Sequence, residues 1–185
     1  MRRAAMLSLA VLLAGLTACS PFTFAVHSRH DPGVRFAALR TFGWLPASEA
    51  APADQQTQDP TFDRRIRDDV ERGLREMGYE PAGGARPDFL LNYRLATLPV
   101  SRVLDDPFGD WGGSWARWPA HGSARLDASE QGALFLGTID PATRHMTWVG
   151  FAEARLLPDL SYEKTLVRID DAVAAILKDF PAPAR

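Results

Sequence analysis

The sequence predicts an α+β fold, a two-layer sandwich in which about five mostly antiparallel strands carry two amphipathic helices on one face. Three observations predict it. Apolar residues recur on a helical period from Phe62 to Met77 and again from Tyr162 to Phe180. Short stretches at 22–27, 41–45, 89–95, 132–139 and 146–154 alternate with period two or are apolar throughout, as strands are. The resulting order, β-β-α-β-β-β-α, contains no internal repeat, so one helix layer must cover one sheet.

Phe22, Phe24 and Val26 alternate with Thr23, Ala25 and His27, which predicts a strand with one buried face. A second strand spans Thr41 to Leu45, with Phe42 and Trp44 on one side, and stops at Pro46. Residues 47–59 are poor in bulky apolar side chains and read as a mobile linker or exposed loop. Asp59 then caps a helix whose first turn accepts Pro60, because the missing N–H would be unpaired there in any case. Phe62, Ile66, Val70, Leu74 and Met77 form its stripe, and Gly78 supplies the left-handed residue that ends it.

Phe89, Leu91, Tyr93 and Leu95 alternate with Leu90, Asn92 and Arg94 in a third strand. Residues 99–128 break the rhythm with Pro99, Pro107, Pro119, several glycines and three tryptophans, and read as a second mobile segment. The strands at 132–139 and 146–154 are joined by Asp140 to His145, a length suited to a hairpin. The first of them is apolar on both faces and should be central in its sheet. The last helix starts near Ser161 and places Tyr162, Leu166, Ile169, Val173, Ile176, Leu177 and Phe180 on one side before Pro181 stops it. The sheet face away from the helices also needs a cover. Trp148, the tryptophan-rich segment or a partner are the candidates.

Before this domain stand a basic start, Met1-Arg2-Arg3, an apolar run from Ala4 to Leu16 broken by Ser8, and Leu16-Thr17-Ala18-Cys19. These are the parts of an export signal. The cysteine after Ala18 resembles the lipobox of bacterial lipoproteins, which implies removal of residues 1–18, acylation of the Cys19 thiol and a membrane partner engaged through that lipid. The rival reading is a cleaved secretory signal without lipid. The run is shorter than the roughly 20 residues that cross a bilayer as a helix. Ser20 in place of aspartate favours the outer membrane under the lipoprotein sorting rule. Residues 19–185 then form one periplasmic domain with enough chain for one core.

Loss of Arg2 and Arg3 leaves 19 Lys+Arg against 23 Asp+Glu, a net charge of −4 for the mature domain. Such a mildly acidic chain without a basic stripe is no nucleic-acid binder. One cysteine excludes an internal disulfide, so the core alone must hold the fold.

Trp111-Gly112-Gly113-Ser114-Trp115-Ala116-Arg117-Trp118 is the most conspicuous candidate binding surface. Aromatic rings with flexible glycines suit stacking on sugars, cradling acyl chains or gripping an envelope protein. The same Trp111, Trp115 and Trp118 would also serve as a cap folded back over the sheet. His27 and His30 with Asp31 make a minimal metal clip without a third strong ligand, and Asp105, Asp106 and Asp110 lack calcium-loop spacing. There is no Gly-x-Ser-x-Gly elbow, and neither Gly83-Gly84 nor Gly132 to Gly137 makes a phosphate loop. Glu153 and Asp159 are separate carboxylates that no spacing pairs. No metal, cofactor or catalytic residue is assigned.

His30-Asp31-Pro32-Gly33-Val34-Arg35-Phe36 with Leu39-Arg40-Thr41-Phe42-Gly43-Trp44-Leu45-Pro46, the stretch Phe62 to Ile66 through Gly78-Tyr79, Pro87 to Tyr93, Gly132 to Asp140, Trp148-Val149-Gly150 and Phe180-Pro181 resemble the lipoprotein family known as domain of unknown function 4136 (DUF4136). Leu39 departs from it, since an aromatic is common there. The resemblance implies a cell-envelope lipoprotein and brings no catalytic residue. The expectation is a non-enzymatic, lipid-anchored envelope domain that binds another envelope component. The alternative is an enzyme or small-ligand carrier acting on envelope glycans or lipids through the tryptophan-rich segment.

Overall fold

The computed structural model describes residues 22–46, 49, 59–97, 131–155, 157 and 159–184. They form β1 (Ala25–His30), a 3₁₀ turn (Phe36–Ala38), β2 (Thr41–Trp44), α1 (Pro60–Met77), β3 (Glu80–Pro81), β4 (Phe89–Thr97), β5 (Gln131–Ile139), β6 (Met146–Arg155) and α2 (Tyr162–Leu177). One sheet runs in the order β1-β6-β5-β4-β2-β3. Neighbours from β1 to β4 are antiparallel, whereas β2 is parallel to both β4 and β3. The α+β sandwich is therefore present with a mixed sheet and one strand more than the pattern predicted. The extra strand is two residues long, too short to show a period. Parallel pairing of β2 with β3 needs a crossover of a dozen or more residues, which α1 provides.

Helix α1 starts and stops where its sequence directs. The Asp59 side chain accepts a hydrogen bond from the Thr61 N–H at 2.8 Å. At the other end Gly78 has φ of 100°, so the Gly78 N–H reaches the Arg75 carbonyl and the Tyr79 N–H reaches the Leu74 carbonyl. This paired closure buries Tyr79 and Leu74 together. The Tyr79 hydroxyl donates to the Pro181 carbonyl at 2.8 Å, and burial pushes its pKa up to about 12. The C-terminal tail is thereby tied to the end of α1.

Both helices lie on the face formed by Phe89, Leu91, Leu134, Leu136, Trp148 and Ala152. Trp148 does not cover the opposite face. It points into the helix layer, with its ring 4.8 Å from that of Phe180. Leu90, Phe135, Ile139, Val149 and Phe151 on the opposite face are nonetheless buried. Strand β5 thus lies in the middle of the sheet with both faces out of water, as its apolar run requires. Two other details depart from expectation. The first strand begins at Ala25 rather than Phe22, because its partners on β6 run from Glu153 to Trp148. Tyr162 is 46% exposed rather than in the core, since it sits in the first turn of α2. Its ring stacks on Phe62 at 5.4 Å.

One carboxylate reinforces the parallel pairing of β2 with β4. Asp88 accepts hydrogen bonds from the Arg40 N–H at 2.8 Å, the Thr41 N–H at 2.9 Å and the Thr41 hydroxyl at 3.1 Å. It fixes the register of Phe42 against Phe89. The Arg40 N–H foremost, against the pull of burial and with help from Thr41, holds the Asp88 carboxyl below the usual carboxylate range. A depressed folded-state pKa means that the stabilisation is present above the unfolded value and is lost as pH falls through the folded one. Asp88→Ala is expected to cost about 1 kcal/mol at neutral pH. In urea melts that difference should close as pH falls below the carboxylate range. A gap that persists unchanged at low pH would show that the charge is not what holds the register.

Candidate functional site

The interior is unevenly filled. At one end of the layer, Trp148, Tyr79, Phe89 and Phe180 pack ring against ring. At the other end the sheet offers mostly small residues to α2. Gly132 stands opposite Ala154 and Leu134 opposite Ala152, and Ala172 faces them from the helix. Leu95 extends this floor from β4, where it is paired with Leu134. The result is a cavity of about 400 Å³ between sheet and helices. Its other walls are Ile169 and Thr165 of α2, Phe62 of α1, Phe24 ahead of β1, and Leu157 and Leu160 between β6 and α2.

Among the described residues Arg168 is the one charged residue in that wall. Its guanidinium lies 5.5 Å from the centre of the Phe22 ring and donates a hydrogen bond to the Arg155 carbonyl. Burial lowers its pKa from the usual arginine value. Among the described residues it forms no ion pair. The arrangement is an apolar chamber with one cation on its wall. It can hold a hydrocarbon chain and pair an anionic headgroup with Arg168. Leu157, 44% exposed, and Tyr162, stacked on Phe62, add apolar surface next to it.

Two polar clusters compete as candidate sites. The first joins α1 to β2 and β4. The Tyr93 hydroxyl donates to Asp63 at 2.6 Å, Arg67 donates to the same oxygen at 2.8 Å, and Arg67 lies 4.4 Å over the Trp44 ring. The Trp44 N–H donates to Glu71 at 2.9 Å. Burial opposes the charge on Asp63, yet the bonds from Tyr93 and Arg67 outweigh it and hold its pKa below normal. Burial and the Asp63 charge push Tyr93 up. Each polar group there is used by another, which makes the cluster a brace between helix and sheet.

The second cluster bridges α1 and α2 along a groove of about 480 Å³. Burial foremost and the neighbouring Asp170 carboxylate raise the pKa of Asp69, while the bonds from Arg65 help hold that of Asp170 below normal against burial. Arg65 reaches Asp170 at 2.5 Å, and Arg72 reaches Asp69. Arginines on both sides hold these carboxylates in ion pairs that tie α1 to α2.

The residues singled out from sequence fare differently. Cys19, Trp111, Trp115, Trp118, Asp105, Asp106 and Asp110 lie outside the described residues, as do 47–59, apart from Glu49 and Asp59, and all of 99–128. His27 stacks on Phe151 at 5.0 Å on the face away from the helices, whereas His30 meets Phe36 edge-on at 6.3 Å on the helix side. Asp31 accepts the Gly33 N–H at 2.7 Å in the following turn. The alternation of the strand thus separates the two histidines. Among the described residues, no group of three or more His, Cys, Asp or Glu is placed to hold a metal. Glu153 has its pKa raised by burial, with His27 opposing. It faces away from the helices, and Asp159 lies in the turn before α2. The cavity was missed by sequence reading. Its signal was the run of small residues at inward positions near 132, 152 and 154, which becomes meaningful only once β5 and β6 are known to be paired.

Among the described residues, no helix is long and apolar enough to cross a membrane. No curated protein matches the chain. Among solved structures, a PelC dodecamer from Paraburkholderia phytofirmans is similar over 88% of this chain and 99% of its own, with 10% identity and a TM-score of 0.49. A substituted form of PelC from the same organism, also a dodecamer, covers 84% of this chain and 95% of its own, with 10% identity and a TM-score of 0.46. A PDZ domain protein from Parabacteroides distasonis is similar over 86% of this chain and 36% of its own, with 16% identity and a TM-score of 0.48. The family described as Domain of unknown function (DUF4136) matches residues 26–182, and the chain belongs to that family.

Proposed function

We propose that this protein is a non-catalytic, lipid-anchored domain of the cell envelope, tethered to the outer membrane through acylated Cys19, which binds a single apolar chain between its helices and its sheet. The chamber beside Arg168 carries this reading. Its volume of about 400 Å³ lies within the roughly 300–1,000 Å³ of small-molecule sites. Each methylene moved from water into it contributes about 0.8 kcal/mol. The single guanidinium favours an anionic or strongly polar head at the open end. The lipobox-like Leu16-Thr17-Ala18-Cys19 supports the anchor, and Ser20 supports the outer-membrane assignment. Trp111, Trp115 and Trp118 stay candidates for contact with an envelope protein or glycan.

Two measurements test this. Cells fed a tagged fatty acid should label the wild-type protein and leave Cys19→Ser unlabelled and unprocessed. The chain from Ser20 onward should bind a fluorescent long-chain fatty acid. Arg168→Gln should weaken that binding by about tenfold, the loss of one charge-assisted contact at a half-buried site, while Ala154→Phe, which fills the floor, should abolish it. Equal binding by wild type and Ala154→Phe would remove the chamber from consideration.

A further inference from the structure

We infer that the chain occupying this chamber in the mature protein is its own, one of the acyl groups carried on Cys19. The inference rests on the anchor reading above. Phe24 is part of the chamber wall, and the ring of Phe22 lies over Arg168 at its edge. Cys19 is three residues before Phe22, so its sulfur-bearing residue lies within about 10 Å of Phe22 even with the chain fully extended. An acyl group attached there starts next to the opening.

Tethering then decides between this guest and any free lipid. A short linker presents its cargo at an effective concentration in the millimolar range, far above the free concentration of a single-chain lipid in water. The bilayer is the real competitor, and it offers the chain much the same apolar surroundings as the chamber does. Exchange between the two therefore costs little per methylene, and the remaining acyl groups keep the protein on the membrane, since stable anchoring takes two chains. Leu157 of the chamber wall and Tyr162, stacked on the wall residue Phe62, are exposed, so the chamber has an apolar rim. Small residues along the floor, Gly132, Ala152 and Ala154, leave a slot for an unbranched guest.

The full-length protein, made in cells fed a fatty acid with a diazirine near its tail and an alkyne for recovery, tests this. After irradiation, wild-type peptides from the chamber, such as those holding Leu134, Leu160 or Ile169, should carry the cross-link to Cys19. In Ala154→Phe, checked by its melting curve, label on Cys19 should persist while the chamber cross-link falls by about tenfold or more. Cross-links to phospholipid only, with Cys19 still labelled, would overturn the inference and leave the anchor intact. Chamber cross-links of equal strength in Cys19→Ser would assign the guest to free lipid and likewise overturn it. Absence of label on the wild-type protein would remove both the anchor and the inference.

Discussion

Gly150→Ala is expected to destabilise the domain by about 3 kcal/mol, although it adds one methyl group, because that methyl has nowhere to go. Gly150 lies in β6 opposite Leu136 and faces the helices between Trp148 and Ala152. A Cβ there would stand 2.6 Å from Cζ2 of Trp148, nearer still to its Cη2, and 2.8 Å from Cγ2 of Ile176. Neither neighbour can yield. Trp148 is 1% exposed and wedged against Phe180, and Ile176 is fully buried. Urea denaturation of the soluble domain measures the cost. The double variant with Trp148→Leu should lose less than the sum of the two single changes, because the smaller side chain vacates the space that the methyl needs. A cost below about 0.5 kcal/mol for Gly150→Ala would show that the ring does not lie over β6.

Truncating the facing isoleucines should be nearly as damaging and should rank in a set order. Ile66 in α1 is fully buried and belongs to the main core, so Ile66→Ala is expected to cost about 4 kcal/mol. Ile169 in α2 is 8% exposed and forms part of the chamber wall, so one side of it already lacks packed neighbours. Ile169→Ala is expected near the low end, about 2 kcal/mol. The same denaturation experiment with fatty acid added separates them further. Ligand should partly offset the loss at Ile66 by mass action and do so less at Ile169, where it loses a contact. The reverse order of costs would place the unfilled end of the core elsewhere.

The helices were the most legible elements because their ends are governed locally. Asp59, Pro60 and Gly78 act within one turn, and Ser161 caps α2 through its own side chain and the Lys164 N–H. Strand β5 was equally plain, since apolar residues on both faces admit only a central position. The parallel half of the sheet was not legible. Nothing in Thr41–Trp44 or Phe89–Thr97 distinguishes a parallel from an antiparallel neighbour, and the choice is made by α1 carrying the chain back to the start of the sheet. Trp148 could not be assigned a face from its surroundings either, because both faces of β6 are apolar. Its direction follows from the pairing of Thr138 with Trp148 and the irregularity at Ile139. Arg94 reads as an outward residue of an alternating strand but is 6% exposed, beside Phe135 on the neighbouring strand. The chamber emerged only from the coincidence of small residues on different strands and one helix, which is a property of pairing and not of any single stretch.

The pairing of β1 with β6 sets an order on assembly. Ala25 meets Glu153, so the first of the described strands finds its neighbour among them in nearly the last one. Until the chain is almost complete, β1 has no ladder to join, and the β4-β5-β6 meander must form before it can be closed off. Contacts of such long sequence separation slow folding, because the loop between them has to be ordered before the contact repays it. A ribosome releasing this chain from its N-terminus would deliver a strand that waits, unpaired, for β6 to be made.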